Sequence, residues 1–548
     1  MLKYSDIKGI KTSLVVGFGA AMLLLVTLAN GQPFFFEDTP SYVREPDAAV
    51  VRGFGSRFAT SWTYASVARL LSPDSVDSKA PDSSPTADVA STTSRSVGPS
   101  VRAQHTNALE SGVILSGRSA YYGALLYLGE ITGGFWLSVI AQALIVSYVV
   151  YVLCVRCLDL PVNAFIIVIS VLASVSTVPF FVGFLMPYIF AAVAILVTGI
   201  FIAFWTALRT FERVVLALIL IFSLLSHLTH LLTCILILAI YVASSTLQSV
   251  RAHYFRWAPA ITIAACVMAG AAGEIAFNMI VSKVMGVKPI RPPLVMARLI
   301  NLGPGLQYLK VHCNDGRFVI CQFQQRLPLD TDNFIWNHDP AVGVFAPASP
   351  EIKRALGDEQ FAFALKVFEF DPAGVLYNSL RAGVNQLATF SLDEFRNKDD
   401  QWNQFSSVLP TKYWDRMQDT LAFRYGLIVD MISNVDYAVV VLSCLFLILA
   451  QSVPLYQKLD QRSEDRIGEF SSSKTLLLVV VCGGLIFNAL ICAALSTVHS
   501  HYQARVVWLV PLVAILFFLD FSWQGKREIK KPSDQIACAN RELPSRAS

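Results

Sequence analysis

The chain has 548 residues, of which 54% are hydrophobic and only 15% are charged. Soluble globular proteins carry about 25% charged residues, so this composition excludes the soluble, fibrous and disulfide-scaffold classes. The net charge of +4 is too small to favour nucleic acid, and the expected partner is the lipid bilayer.

A helix needs roughly 20 mostly apolar residues to cross a bilayer, and stretches of this kind recur along the chain. The predicted fold class is a polytopic α-helical membrane protein of about ten transmembrane helices. The first apolar run is longer than the roughly 7–15 residues of a signal-peptide core, so we expect an uncleaved anchor. The ten stretches are residues 12–30, 135–155, 163–178, 187–206, 214–226, 231–248, 258–281, 436–456, 475–496 and 505–523.

Among the short connections between these stretches, lysine and arginine residues fall in alternate ones. The short connections Thr177–Pro187, His227–His230 and Thr497–Ala504 contain neither residue. By the positive-inside rule, the basic connections and both termini are cytoplasmic. No Asn-x-Ser/Thr acceptor occurs in the chain, which favours a bacterial inner membrane with the exterior regions in the periplasm.

This orientation places two long segments outside the membrane. In the first, residues 31–134, the stretch 72–100 has 12 Ser/Thr and 4 Pro and predicts a disordered insert. The second, residues 284–433, mixes aromatic residues with turn signals and predicts an α+β exterior domain before the last three helices. The full predicted division is 1–30, 31–134, 135–283, 284–433, 434–523 and a cytoplasmic tail over 524–548.

Two cysteines of the second exterior segment predict a disulfide. Cys313 and Cys321 flank a turn at Asn314–Gly316, and the strand-like run Phe318–Ile320 follows it. Cysteines eight residues apart across a turn, in an oxidising compartment, suit a bridge that closes a hairpin. The alternatives are a pair of free thiols or a metal site, although no zinc-type spacing accompanies them.

Two acids, Glu37 and Asp38, follow the first span directly, and Pro33 and Pro40 stiffen the segment that holds them. These carboxylates are candidate catalytic groups at the membrane surface. The alternative is an aromatic belt with solvated acids. Further along, Arg118 precedes two tyrosines; it could bind a phosphate through its planar fork or could snorkel to the interface.

Polar residues at other spans face the same side of the membrane. His227 and His230 lie three residues apart at a helix end, and Glu274 lies one turn before Asn278 inside a span. Such groups are expensive in a bilayer and are candidates for substrate binding. The alternatives are a polar interfacial loop for the histidines and helix-to-helix contacts for Glu274.

The last exterior turn adds His499, His501, Tyr502 and Arg505. All the candidate residues therefore fall on one side of the membrane. Acids, histidines and arginines gathered at one interface favour an anionic, lipid-linked substrate.

The long first exterior loop with Glu37-Asp38, and the final turn Tyr502-Gln503-Ala504-Arg505, resemble the GT-C superfamily of membrane glycosyltransferases. The resemblance implies transfer of a sugar from a polyprenyl-phosphate donor to an envelope glycan or lipid acceptor on the exterior face. Asp38 would then act as general base, and Arg118, Arg505 and a protonated His227 or His230 would bind the lipid phosphate.

Two other classes of function remain open. A transporter or flippase would show polar residues through the bilayer and an internal repeat, and the chain shows no repeat. A non-catalytic envelope assembly protein would use residues 284–433 to bind a partner. No cofactor is expected, and no second acidic motif supports a divalent metal.

Overall fold

The computed structural model describes residues 4–63, 115–248, 254–286, 288–395, 409–424, 426–460 and 466–522. The predicted insert at 72–100 and the tail at 524–548 lie outside these residues. Within them the regular secondary structure is helical, apart from the isolated bridges Phe34–Phe184 and Leu115–Ile290. The helices in chain order are α1 (Tyr4–Asn30), α2 (Thr39–Phe54), α3 (Ala120–Gly133), α4 (Trp136–Tyr151), α5 (Val162–Val175), α6 (Val178–Val182), α7 (Ile189–Phe204), α8 (Thr210–Ser226), α9 (Leu228–Ser244), α10 (Trp257–Met285), α11 (Leu294–Leu302), α12 (Pro304–His312), α13 (Thr331–Trp336), α14 (Pro350–Phe370), α15 (Pro372–Ala388), α16 (Thr411–Gln418), α17 (Leu421–Arg424), α18 (Gly426–Asp460), α19 (Arg466–Leu495) and α20 (Ser500–Val507).

The architecture is that of a polytopic helical membrane protein. Each of the ten predicted apolar stretches overlaps helical residues of the described chain, but α5, α8 and α9 have only 14, 17 and 17 residues. At 1.5 Å per residue they reach about 21–26 Å, less than the roughly 30 Å of a hydrocarbon core, so the count of ten spans stays a prediction. Seven segments of the described chain are long and apolar enough to cross a membrane: Lys11–Asn30, Trp136–Cys157, Ile189–Ala207, Trp257–Lys283, Val429–Ala450, Ser473–Leu495 and Ser500–Ser522.

Helix α7 lies at the centre of the bundle. It carries no charged residue, and every side chain in it except Ala203 is buried. Helix α19 approaches it closely at Gly484, where an added Cβ would lie 2.5 Å from Cγ2 of Ile195. Small residues at such crossings let helix backbones approach in membranes. The resulting α7–α19 contact fixes the ends of both helices, which carry part of the site described below.

The described part of residues 284–433 contains helices and no strand, which corrects the expectation of an α+β domain. The strand-like run after Cys313 instead leads into a 3₁₀ helix over Val319–Arg326. The carboxylate of Glu359 explains the difference. It accepts hydrogen bonds from the backbone N–H groups of Val319 (2.8 Å) and Ile320 (3.1 Å), which are then unavailable to a β-ladder.

The predicted disulfide is present between Cys313 and Cys321, whose Cα atoms are 5.2 Å apart. It does not close a β-hairpin, because the residues it joins lie at the end of α12 and in the 3₁₀ helix. Next to it the region has its own apolar core, in which Phe334, Leu356 and Phe363 are fully buried. This core supports α13, the short helix that reaches the candidate site.

The two long connections pack on one end of the bundle, where α1 and α19 end. Asn30 accepts a hydrogen bond through Oδ1 from the Ala422 N–H at 3.0 Å. Arg298 donates from Nε to the Ala493 carbonyl at 2.6 Å. The side chain of Gln386 bonds both the N–H and the carbonyl of His499, at 3.0 and 2.7 Å. We call this end of the bundle the site face.

Candidate functional site

Arg505 lies in the buried part of a polar cluster at the site face, and we call this buried part the floor. Its side chain is fully buried. Nη2 donates to Oδ1 of Asn488 at 2.9 Å and to Oγ1 of Thr229 at 3.2 Å, and it lies 3.2 Å from Sγ of Cys492. Among the described residues no carboxylate pairs with it, and Nε and Nη1 have no hydrogen-bond partner. A buried cation without a counter-charge is costly, so this pocket is suited to an anion.

Aromatic rings enclose the Arg505 guanidinium. Its Cζ lies 5.3 Å from the ring centroids of both Tyr188 and Tyr502. The ring of His501 stacks on Tyr188, with centroids 5.0 Å apart and planes 10° apart. These contacts stabilise the cation through the ring quadrupoles without neutralising its charge. Tyr188, at the start of the central helix α7, was not a predicted site residue.

His227 and His230 lie beside Arg505 because Thr229, between them, accepts its hydrogen bond. His227 is the N-cap of α9, and its Nδ1 accepts from the Thr229 N–H at 3.2 Å. His230 directs Nδ1 at the Ser223 carbonyl, 2.9 Å away. A carbonyl can only accept, so Nδ1 carries a proton. Nε2 of His230 is buried without a partner among the described residues and could accept or, once protonated, donate.

Above this floor, Asp38 forms an ion pair with Arg118. Asp38 occupies the N-cap position of α2 but makes no side-chain cap bond, because Pro40 follows within the first turn and the carboxylate is turned to the arginine. Thr39 fixes the turn by accepting from the Phe36 N–H at 2.9 Å and donating to the Leu185 carbonyl at 3.2 Å. The neighbouring Glu37 is exposed.

Helix α13 brings two further residues that the sequence did not reveal. Cζ of Arg118 lies 5.5 Å from the ring centroid of Trp336. One turn earlier, Oδ2 of Asp332 lies 3.2 Å from Nε2 of His499. Residues four apart share one face of a helix, so α13 spans from the first loop to the last turn. The sequence signal for this helix was its N-cap: Asp330 accepts from the Asn333 N–H at 2.9 Å.

These contacts close a ring of side chains around the site. The His499 and His501 ring centroids are 5.3 Å apart, and those of His501 and Phe36 are 5.6 Å apart. Phe36 lies two residues before Asp38, which completes the circuit. We call this set the rim; its members in order are Asp38, Arg118, Trp336, Asp332, His499, His501 and Phe36.

The rim is accessible at Asp38, Arg118, Asp332 and Trp336, whereas His501 and the floor are buried. The side chains of Asp38 and Asp332 are each 40% exposed, and that of Arg118 is 25% exposed. Arg505 and His230 are buried. The cluster therefore has an accessible edge that carries acids and a buried part that carries a cation without a carboxylate partner.

Burial and nearby charges keep Tyr42 neutral and Arg118 protonated. Burial, and then the Asp38 carboxylate, raise the pKa of Tyr42, which stays a neutral phenol. Burial lowers the pKa of Arg118, but Asp38 and its hydrogen bond outweigh burial, and the net shift is upward. Arg118 is thus a permanent cation that holds Asp38 in place.

Glu274 is the predicted residue placed apart from this ring. Its Oε1 accepts from Nδ2 of Asn278 at 3.3 Å within the same helix. Tyr121 donates to the carbonyl of Gly273, next to it, at 2.9 Å. These contacts join α10 to α3, and a role for Glu274 in substrate binding stays a prediction.

Two observations bear on what the site could hold. Within the described ranges, no group of three or more His, Cys, Asp or Glu side chains is arranged to hold a metal ion. Comparisons with family models, curated proteins and solved structures find no match to this chain.

Proposed function

We propose that this chain is a membrane glycosyltransferase that moves a sugar from a polyprenyl-phosphate donor to an envelope glycan or lipid acceptor. In this proposal the site face is the periplasmic side of a bacterial inner membrane. The observation that carries it is the fully buried Arg505, which lacks a carboxylate partner among the described residues, in the same polar cluster as the accessible Asp38–Arg118 pair.

The donor phosphate fits the floor. Nε and Nη1 of Arg505 are the donors left without a partner, and guanidinium N–H groups bind phosphate oxygens in pairs. These groups would stabilise the charge that develops on the phosphate as the sugar leaves, and such preorganised donors supply a large share of catalysis in dry sites.

The transfer step uses Asp38 as general base. The acceptor hydroxyl oxygen bonds to the anomeric carbon, while the bond from that carbon to the phosphate oxygen breaks and its electron pair leaves with the polyprenyl phosphate. The hydroxyl proton passes to the Asp38 carboxylate. Arg118 bonds Oδ1 of Asp38, which leaves Oδ2 for the acceptor.

The position of the cation favours a transferase over a transporter. Arg505 lies five residues into the span Ser500–Ser522, about 8 Å from its end, whereas transporter sites lie near the bilayer midplane. A protein that only binds a partner through residues 284–433 has no need of a buried, unmatched arginine. Transport and assembly therefore rank below transfer.

A complementation experiment tests the proposal. A deletion strain would receive wild-type protein, Asp38→Asn or Glu37→Gln, and its envelope glycans would be compared by mass spectrometry. We expect a sugar to disappear on deletion and to return with the wild type and Glu37→Gln only. Unchanged glycans in the deletion strain would remove the proposal.

A further inference from the structure

Helix α13 places a carboxylate and an indole at the mouth of the site, and both remain accessible. The side chain of Asp332 is 40% exposed, and Trp336 is 41% exposed. Both residues belong to the long connection between α10 and α18 and not to a membrane span. Their neighbours His499 and Arg118 fix them on the rim.

We infer that α13 is the sugar-binding element of this site and that the sugar it accepts is a neutral pyranose. The inference rests on the proposed function, because it assigns a binding element to the sugar that is attached to the donor phosphate. Asp332 accepts hydrogen bonds from ring hydroxyls, and Trp336 packs on the apolar face of the ring.

The chemistry of the two side chains matches such a ligand. His499 contacts Oδ2 of Asp332, and the carboxylate keeps acceptor capacity on its exposed side. A pyranose offers hydroxyl donors at its edge and C–H groups on its face. Trp336 offers a broad apolar surface with little side-chain entropy to lose, and Arg118 holds it from one side. A carboxylate one helical turn from an indole therefore provides both kinds of contact.

The charges of the rim decide between classes of sugar. Asp38 is matched by Arg118. Asp332 pairs with His499 and acts electrostatically on the buried Arg298. Burial lowers the pKa of Arg298, and the Asp332 charge opposes that shift. Each accessible carboxylate of the rim therefore already has a partner, and a charged sugar would compete with that pairing. A neutral ring binds without breaking either pair, so both charged classes lose to it.

The burial of these groups predicts which part of the donor each of them contacts. The unmatched cation is at the buried floor, and the hydroxyl-binding groups are at the open rim. A lipid phosphate at Arg505 would project its sugar past Tyr188 and Tyr502 towards α13. The acceptor would then enter from the solvent side, next to Asp38.

Binding to the full-length protein in lipid nanodiscs tests the inference. The probes are undecaprenyl phosphate alone and the same lipid phosphate carrying glucose, galactose, mannose, galacturonic acid or 4-amino-4-deoxyarabinose. For wild type we expect at least one neutral sugar to improve Kd by about 10-fold or more over the bare lipid, the gain of one hydrogen bond to a charged group. Neither charged sugar should improve it.

Substitutions on α13 then locate the effect. Asp332→Asn and Trp336→Ala should lose most of the roughly 10-fold sugar gain and keep the affinity for bare undecaprenyl phosphate within about 2-fold. Trp336→Phe, which keeps a ring, should retain part of the gain. Asp339→Asn, in the exposed turn after α13, is the matched control and should behave as wild type.

The outcomes separate this inference from the proposed function. A sugar gain that survives in both Asp332→Asn and Trp336→Ala removes α13 as the sugar-binding element. A charged sugar that binds better than every neutral one, or the absence of any sugar gain in wild type, overturns the neutral-pyranose assignment while phosphate binding stands. Failure of the wild type to bind undecaprenyl phosphate at all would remove the proposed function and the inference together.

Discussion

Nη2 of Arg505 donates a hydrogen bond of 2.9 Å to the amide oxygen of Asn488, a partner that carries no charge. A glutamate or aspartate at 488 would neutralise the guanidinium, whereas an asparagine only orients it. The protein therefore holds the positive charge of Arg505 at a fixed place and leaves it for a ligand.

Replacing Arg505 separates a binding role from a structural one. Arg505→Gln should weaken binding of undecaprenyl phosphate by about 10- to 100-fold, because one or two charge-assisted hydrogen bonds are lost. The ligand-free melting temperature should stay level or rise, since a buried charge without a counter-ion is removed. Binding in nanodiscs and thermal unfolding in detergent measure the two effects. Arg424→Gln, at an exposed pair with Asp419, is the control. A large drop in ligand-free stability with unchanged binding would show that Arg505 is structural.

Asp38 should be the residue whose loss is most severe for transfer. General-base catalysis contributes typically about 10²–10⁴-fold, so Asp38→Asn should lower the transfer rate by that order while the protein still folds and inserts. Glu37→Gln is the control, because the adjacent side chain is exposed and is not the partner of Arg118. Rates with a purified enzyme and a sugar-loaded lipid donor would measure the difference. Equal rates for the two variants would contradict the assignment.

The N-cap of α13 makes the stability of the fold depend on pH in the acidic range. Burial raises the pKa of Asp330, but hydrogen bonds from the Asn333 backbone and side chain outweigh it, so the pKa lies below its usual range. A carboxyl with a lowered folded-state pKa stabilises the fold above its unfolded pKa of about 3.9, and that stabilisation disappears as pH falls through the folded value.

Variants at 330 test this dependence. Asp330→Asn keeps a cap and should remove the Asp330 contribution to acid sensitivity, whereas Asp330→Ala should lose about 0.5–2 kcal/mol of stability at neutral pH. Thermal unfolding from pH 7 to pH 3 measures both. If the three proteins show parallel profiles, the cap does not control α13.

A buried carboxylate joins the first loop to α16. Glu130 is 2% exposed in its side chain; it accepts from Tyr413 Oη, from Nζ of Lys412 at 2.8 Å and from Oγ of Ser61 at 3.1 Å. Tyr413→Phe removes one donor from a buried charge and should cost about 1–3 kcal/mol of unfolding free energy. Tyr377→Phe, on an exposed tyrosine of α15, should cost nothing measurable. Denaturant titration in detergent compares the two, and equal stabilities would show that Glu130 is satisfied without Tyr413.

The disulfide can be tested by intact-mass alkylation. Without reductant, Cys313 and Cys321 should stay unlabelled in the unfolded protein, because they are bonded to each other. The free cysteines Cys444 and Cys482 should label and serve as the internal control. Labelling of both residues of the pair before reduction would contradict the bridge.

The sequence pointed to several residues of the site but not to the residues that contact them. Apolar runs and charge asymmetry located the helices, so Asp38, Arg118 and Arg505 could each be placed at a helix end. Asp332 and Trp336 could not be found this way, because their contacts with His499 and Arg118 join segments more than a hundred residues apart. Tyr188 was hidden in an apolar run, where an aromatic residue is the ordinary filling of a helix core.

The failed strand prediction has a different cause. The run Phe318–Ile320 has β-propensity, but propensity is a weak preference that tertiary contacts override. Here Glu359, on a helix about forty residues later, takes the two N–H groups that a ladder would use. No local pattern announces that contact.

The double hydrogen bond between Gln386 and the backbone of His499 limits how this protein can be dissected. The described part of residues 284–433 has its own core and disulfide, so this region would be a natural choice for recombinant expression alone. Excision would remove both hydrogen bonds between Gln386 and His499 and leave the buried Arg298 without the Ala493 carbonyl. It would also remove His499 from Asp332. A fragment made this way would expose the surface around Gln386 and Arg298, so antibodies or binders raised against it would recognise a face that the intact membrane protein keeps covered.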